Sequence, residues 1–135
     1  MPTGHAASPL YDDLPIVDAH HHLWQLSRGD YGWLDAREDP AIAPIARDYL
    51  VADYQGLAGE NQIKASIVVQ AAETIAETRW LLEQAHASNG LIKGVVGWVD
   101  LAAPDAAQQI AALAADPLLK AIRPMLQDMS DTEWI

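Results

Sequence analysis

The sequence contains no cysteine, which excludes a disulfide framework, a thiolate metal site and a thiol nucleophile. Basic residues are scarce: 8 Lys and Arg stand against 19 Asp and Glu, for a formal net charge of -11. A field of that sign repels phosphate, so no nucleic acid and no anionic membrane is expected as a partner. No apolar run approaches the about 18 residues of a membrane span. The first fifteen residues hold no Lys or Arg and no long apolar run. They do not resemble a secretory signal, so a cytoplasmic location is the expectation. No Gly-rich phosphate fingerprint follows a strand-like run, which leaves a dinucleotide fold without support. What remains is a chain of 135 residues, 50% hydrophobic and 20% charged, long enough for one domain with a real core.

Residues 1–13 mix Pro, Gly, Ser and paired Asp and read as a flexible N-terminal arm. After them the chain repeats. Ile63-Lys64-Ala65 leads into Ser66-Ile67-Val68-Val69 and ends at Gln70. Ile92-Lys93-Gly94 leads into Val95-Val96-Gly97-Trp98-Val99 and ends at Asp100. Leu119-Lys120-Ala121-Ile122 ends at Arg123-Pro124. The period is roughly 28 residues, which suits consecutive strand–helix units. Between the runs, Thr74-Ile75-Ala76-Glu77 predicts a helix opened by a capping box, with Ile75, Thr78, Leu82 and Ala85 on one face and Asn89-Gly90 as its stop. Pro104-Asp105 predicts the start of another, with Ala106, Ile110, Leu113 and Ala114 on one face. A third helical pattern covers about Ile45 to Gly59, with Tyr49, Val51 or Ala52, and Leu57 as its buried positions. Apolar strands alternating with helices predict an α/β fold with a parallel sheet, and polar residues at every strand end favour a barrel over an open sheet.

The chemistry concentrates at the first strand, about Pro15 to Ala19, whose apolar start predicts burial. It runs into Asp18-Ala19-His20-His21-His22. Strict alternation puts Asp18, His20 and His22 on one face and His21 on the other. Two imidazoles at i and i+2 can share one metal ion, and Asp18 could orient one of them from behind. The alternative is a polar strand end with solvated histidines. The connection to the second strand is much longer than the later ones, and its surplus carries Trp24, Tyr31, Trp33 and Leu34. An aromatic insertion directly after candidate ligands reads as a lid or a substrate wall.

In a barrel the strand tips converge on one mouth, which would gather His20, His22, Gln70, Trp98, Asp100 and Arg123. Arg123 suits a substrate carboxylate or an oxyanion, and Trp24, Trp33 and Trp98 offer apolar faces to a ring. Plainer accounts stand beside these. Gln70 would cap a helix, Asp100 would sit at a helix entrance, and Arg123 would form a strand-end salt bridge. Trp80 and Trp24 would only pack.

The stretch Ile16-Val17-Asp18-Ala19-His20-His21-His22-Leu23-Trp24 resembles the opening of the amidohydrolase superfamily, whose first strand ends in His-x-His. Val68-Val69-Gln70-Ala71-Ala72 with Glu77-Thr78 and Trp80-Leu81-Leu82, Gly94-Val95-Val96-Gly97-Trp98-Val99-Asp100-Leu101, and Ile122-Arg123-Pro124-Met125-Leu126-Gln127-Asp128 are similar to its sugar-lactonase branch, the fuconolactonase and rhamnonolactonase-like proteins. The resemblance implies a (β/α)₈ barrel that opens a sugar-acid lactone with an activated water. It makes His20 and His22 the metal pair and catalytic residues. The reading of the strand tips and the aromatic loop adds Trp33, Gln70, Trp98, Asp100 and Arg123 against substrate, with Asp18 behind the ligands. The implied cofactor is a divalent metal, zinc first, with metal-free chemistry as the variant, since some relatives in the branch are thought to work without one. Related barrels hydrolyse pyrone lactones or decarboxylate aromatic acids, and a catalytically inactive fragment is the third alternative. The family's further His and Asp, near the fifth strand and after the eighth, have no counterpart here. The expectation is therefore that 14–135 is the N-terminal half of a barrel. Alone it would expose strand edges one and four and self-associate, as a homo-oligomer or an aggregate.

Overall fold

The repeating apolar runs form the strands of one sheet. The computed structural model describes residues 14–127, 130 and 133. Its strands are β1 (Ile16–His21), β2 (Ile63–Val69), β3 (Ile92–Gly97) and β4 (Leu119–Ile122). Every pairing is parallel, and the strand order follows the chain from β1 to β4. The helices α1 (Val51–Glu60), α2 (Ile75–Ala87) and α3 (Ala106–Leu113) lie in the connections. The expected N-terminal arm, 1–13, and Trp134 lie outside the described residues. Among those described, no helix is long and apolar enough to cross a membrane.

The core forms where β2 and β3 meet the helices. Val68, Ile92 and Val95 are buried against Trp80, Leu81, Leu82 and Ala85 of α2 and Tyr54 and Ala58 of α1. Each fully buried side chain of this size contributes roughly 1.5–3 kcal/mol. The approach of α2 to β3 is close enough to require glycine: a Cβ on Gly97 would come within 2.4 Å of the Thr78 methyl carbon. The Thr78 hydroxyl in turn accepts from the Trp98 N–H at 2.8 Å and binds the Trp98 carbonyl, so helix and strand end are tied at the same spot.

Three expectations need correction. The first strand is not buried: Ile16 is 46% and Val17 61% exposed, because among the described residues β1 pairs with β2 alone. Nor does it alternate strictly. Asp18 pairs with Ser66 and His21 with Val68, so three steps on β1 match two on β2. This irregularity is a β-bulge, and an extra residue shifts the facing of everything beyond it. Asp18 and His21 therefore meet on the helix side, where both touch Tyr54: its hydroxyl donates to Asp18 Oδ2 at 2.8 Å, and its ring stacks on His21 at 3.6 Å.

The third correction concerns the helix expected from Ile45. Pro40–Ile45 forms a 3-10 turn instead, capped by the Asp39 carboxylate on the Ala41 N–H. Tyr49 pairs its backbone with Trp24, and α1 starts only at Val51, where Asp53 accepts from the Leu50 N–H. The buried face is Tyr54 and Ala58, while Leu57 is 53% exposed.

Gly97→Ala is expected to lower stability by about 1–3 kcal/mol, the usual cost of overpacking. Gly59→Ala, on an open face of α1 with nothing within 4 Å of the new carbon, should be neutral or stabilising. Urea midpoints of the two variants check the contrast; equal midpoints would contradict the close-packing account.

Candidate active site

A cavity of about 850 Å³ opens at the carboxyl ends of the strands. His20 and His22 supply one side, Ala71, Ala72, Glu73 and Thr74 a second, and Arg123, Met125 and Gln127 a third. Trp24, Asp30 and Trp33 of the long connection form the remaining wall.

The bulge explains how the histidines reach it. Their Nε2 atoms face one another at 3.2 Å. The His22 Nδ1 lies 2.9 Å from the Val69 carbonyl oxygen, which can only accept. That bond places the His22 proton on Nδ1 and leaves Nε2 as a bare donor atom. Burial lowers the His22 pKa; the Val69 carbonyl opposes the shift, while His20 and Arg123 add to it. The ring is thus held neutral and aimed. Two nitrogens each about 2.0–2.1 Å from a tetrahedral ion would lie about 3.3 Å apart, so this spacing fits a shared ion. The fit is partial, since no group of three or more metal-binding side chains exists among the described residues.

Asp18 has a different role from the one expected of it. Its Oδ1 accepts from the His20 backbone N–H at 3.1 Å and its Oδ2 from Tyr54. Burial pushes its pKa up, yet these donors and the neighbouring imidazoles win, and the net shift is downward. It braces the bulge and binds no imidazole N–H. His21, stacked and bonded to the Ser66 hydroxyl at 3.0 Å, is pushed down to about 4 by burial, and so stays neutral.

The strand-tip residues divide. Trp33 and Arg123 line the cavity. Gln70, Trp98 and Asp100 do not. Gln70 is fully buried, with its amide on the Ala72 carbonyl at 3.3 Å. It shares the parity of Ser66 and Val68, which face the helices. Asp100 is exposed and accepts from the Ala102 N–H at 3.0 Å, so it shapes the turn. Trp98 is half-buried, its backbone held by Thr78.

The long connection is a docked wall. Trp24 and Tyr49 close its base with two backbone hydrogen bonds, and Trp24, Tyr31 and Leu34 pack with Ala71 and Ala72 as a separate small core. The Trp33 indole donates to the Ala71 carbonyl at 2.8 Å while its ring stays 46% exposed on the cavity. Thr74 donates to Asp30 at 3.1 Å, and Arg28 pairs with Asp30 at 2.8 Å. Sequence reasoning did not single out Asp30, Glu73, Thr74, Met125 or Gln127. Thr74 was visible only as a helix cap, which it also is: its hydroxyl accepts from the Glu77 N–H at 3.0 Å.

A family model described as Amidohydrolase matches residues 17–134. The chain belongs to the amidohydrolase family. This amidohydrolase chain is 40% identical over 119 residues to an L-fucono-1,5-lactonase of Burkholderia ambifaria, a match covering 88% of this chain and 39% of that protein. It is 37% identical over 115 residues to an L-fucono-1,5-lactonase of Burkholderia multivorans, covering 85% of this chain and 37% of the relative. A crystal structure of an amidohydrolase from Burkholderia multivorans with bound zinc superposes with a TM-score of 0.74 at 36% identity, over 87% of this chain and 39% of that one. A second crystal form of that protein, with bound HEPES, gives 0.75. The amidohydrolase sheet is therefore of the (β/α)₈ type, with four of its strands among the described residues. The chain spans about two-fifths of the length of the curated relatives it matches.

One buried acid at the site gives a pH signature. Burial raises the Glu77 pKa to about 7, against the opposing N–H groups of Ala71 and Ala72, the Tyr31 hydroxyl and the charge of Arg28. A folded-state pKa above the unfolded one stabilises fully below the unfolded value, near 4.5, and that stability is lost as pH rises through 7. Denaturant midpoints should therefore fall from pH 5 to pH 8, and Glu77→Gln should remove that slope. An identical slope in the variant would contradict the assignment.

Proposed function

We propose that this chain is the N-terminal half of a (β/α)₈ hydrolase that opens a sugar-acid lactone of the L-fucono-1,5-lactone kind. The observation that carries the reading is the cavity itself, where a His pair, Arg123 and the exposed Trp33 indole line one mouth. An ester carbonyl needs a poised water and a counter-charge, and a sugar ring needs a flat apolar face beside hydrogen-bonding groups. The chain supplies those elements within one mouth. The names and the zinc of the relatives support the same class.

His20 and His22, through their Nε2 atoms, would hold a divalent ion, zinc first. When bound, such an ion supplies a polarised carbonyl and a more acidic water. His22 keeps its proton on the far nitrogen, so its near nitrogen remains free to bind. Arg123 lies near enough to depress the His22 pKa and offers its guanidinium to the developing oxyanion or to the acid product. Trp33 presents its ring face to the sugar's C–H side. Asp30, Glu73 and Thr74 offer acceptors and a hydroxyl to sugar hydroxyl groups.

The test is turnover of a panel of sugar lactones, pyrone lactones and aromatic acids by the complete protein and its His22→Ala variant. Sugar lactones should be hydrolysed, and the variant should lose about 100-fold or more in kcat/KM, the scale for losing a positioned reacting group. Wild-type rates in the variant would refute the role of His22. Turnover confined to aromatic acids would refute the lactone class.

A further inference from the structure

We propose that Glu77 is a positioning residue for this cavity: its carboxylate holds the β2 tip and the aromatic wall together as one surface. The proposal rests on the cavity being the substrate site. The capping-box pattern of the sequence would send the Glu77 side chain back to its own helix end. It goes elsewhere. Glu77 is fully buried, and its carboxylate accepts from the Ala71 N–H at 3.0 and 3.2 Å and from the Ala72 N–H at 2.9 Å. It also accepts from the Tyr31 hydroxyl at 3.3 Å. The donors come from two segments far apart in sequence, and both segments reach the cavity.

The peptide group between Ala71 and Ala72 shows what the carboxylate achieves. Its N–H is held by Glu77, and its carbonyl is held by the Trp33 indole. One rigid peptide is thus gripped from both sides, by α2 below and by the wall above. Two residues earlier the Val69 carbonyl orients His22. A displaced tip would move the indole face and disturb that orienting carbonyl. A carboxylate is an expensive group to bury, and a plain helix cap needs no burial. Three donors from two cavity walls account for its being there. Glu77 touches neither the cavity surface nor any reacting atom, so its action is through Ala71, Ala72 and Tyr31.

The wall keeps other attachments, through Thr74 with Asp30 and the Arg28 guanidinium over the Trp80 ring, so losing the Glu77 contacts should loosen it without unfolding the chain. The experiment compares the complete protein with Glu77→Gln, whose amide puts a donor where two backbone donors point. Two readouts are taken. The first is acrylamide quenching of Trp33, as the difference between proteins with and without Trp33→Phe. The second is the split of KM and kcat on the sugar lactone. The proposal expects Trp33 to become more accessible, and KM to rise about 10-fold with kcat changed less, the scale of one lost charge-assisted hydrogen bond. Unchanged quenching with unchanged KM, and only a lower melting temperature, would overturn it, because a purely structural acid alters the folded fraction and leaves the site as it was. If Glu77→Gln does not fold, Tyr31→Phe decides: it removes a single donor from the wall side, and should raise both quenching and KM by a smaller factor. No change in either would overturn the proposal. If the wild type hydrolyses no lactone, the functional reading fails, and the quenching arm still decides the role of Glu77.

Discussion

The hydrogen bond from the His22 Nδ1–H to the Val69 carbonyl joins β1 to β2 at the level where chemistry would occur. It does three things at once. It fixes the tautomer, it turns the bare Nε2 toward His20, and it ties the orientation of that ring to the end of a buried strand. Val69 is 3% exposed, so the carbonyl does not drift with solvent. The rest of the site depends on that fixed point. Arg123 approaches from β4, where its own N–H binds the Gly97 carbonyl, and the wall docks on the residues that follow Val69.

Much of this was legible in the sequence. The near-regular spacing of Lys64, Lys93 and Lys120 marks three strand starts, because a strand–helix unit of this fold has a narrow range of lengths. The His-x-His pair, Arg123 and the aromatic insertion all reach one cavity. What failed did so for a local reason. Simple alternation cannot foresee a bulge, so Asp18 was assigned to the face of His20, although it belongs with His21 and Tyr54. For Gln70 the convergence of strand tips on one mouth is the wrong guide: its position on β2 follows Ser66 and Val68 toward the helices. Asp100 satisfies its own turn and has no reach to spare. Glu77 shows a different limit: its spacing from Thr74 fits a cap, and only the folded tip offers it better donors.

The aromatic connection also changes character once packed. As a sequence it could be a moving lid or a fixed wall. Its base is closed by the Trp24–Tyr49 pairing, its middle by Tyr31 and Glu77, and its rim by Trp33 and Ala71. With anchors at base, middle and rim it is a wall whose shape derives from the β2 tip, which couples the Trp33 indole face to the strand that orients His22.

The central claim is that His22 is a neutral imidazole with its proton on Nδ1 and its Nε2 shared with His20 as a metal-binding pair. Nitrogen-15 NMR of the histidine side chains, with and without added zinc, tests it most directly. The account predicts a protonated Nδ1 and a bare Nε2 on His22 before zinc, with the Nε2 signals of His20 and His22 shifting together when it is added. A His22 proton on Nε2, or a zinc response confined to other histidines, would contradict it.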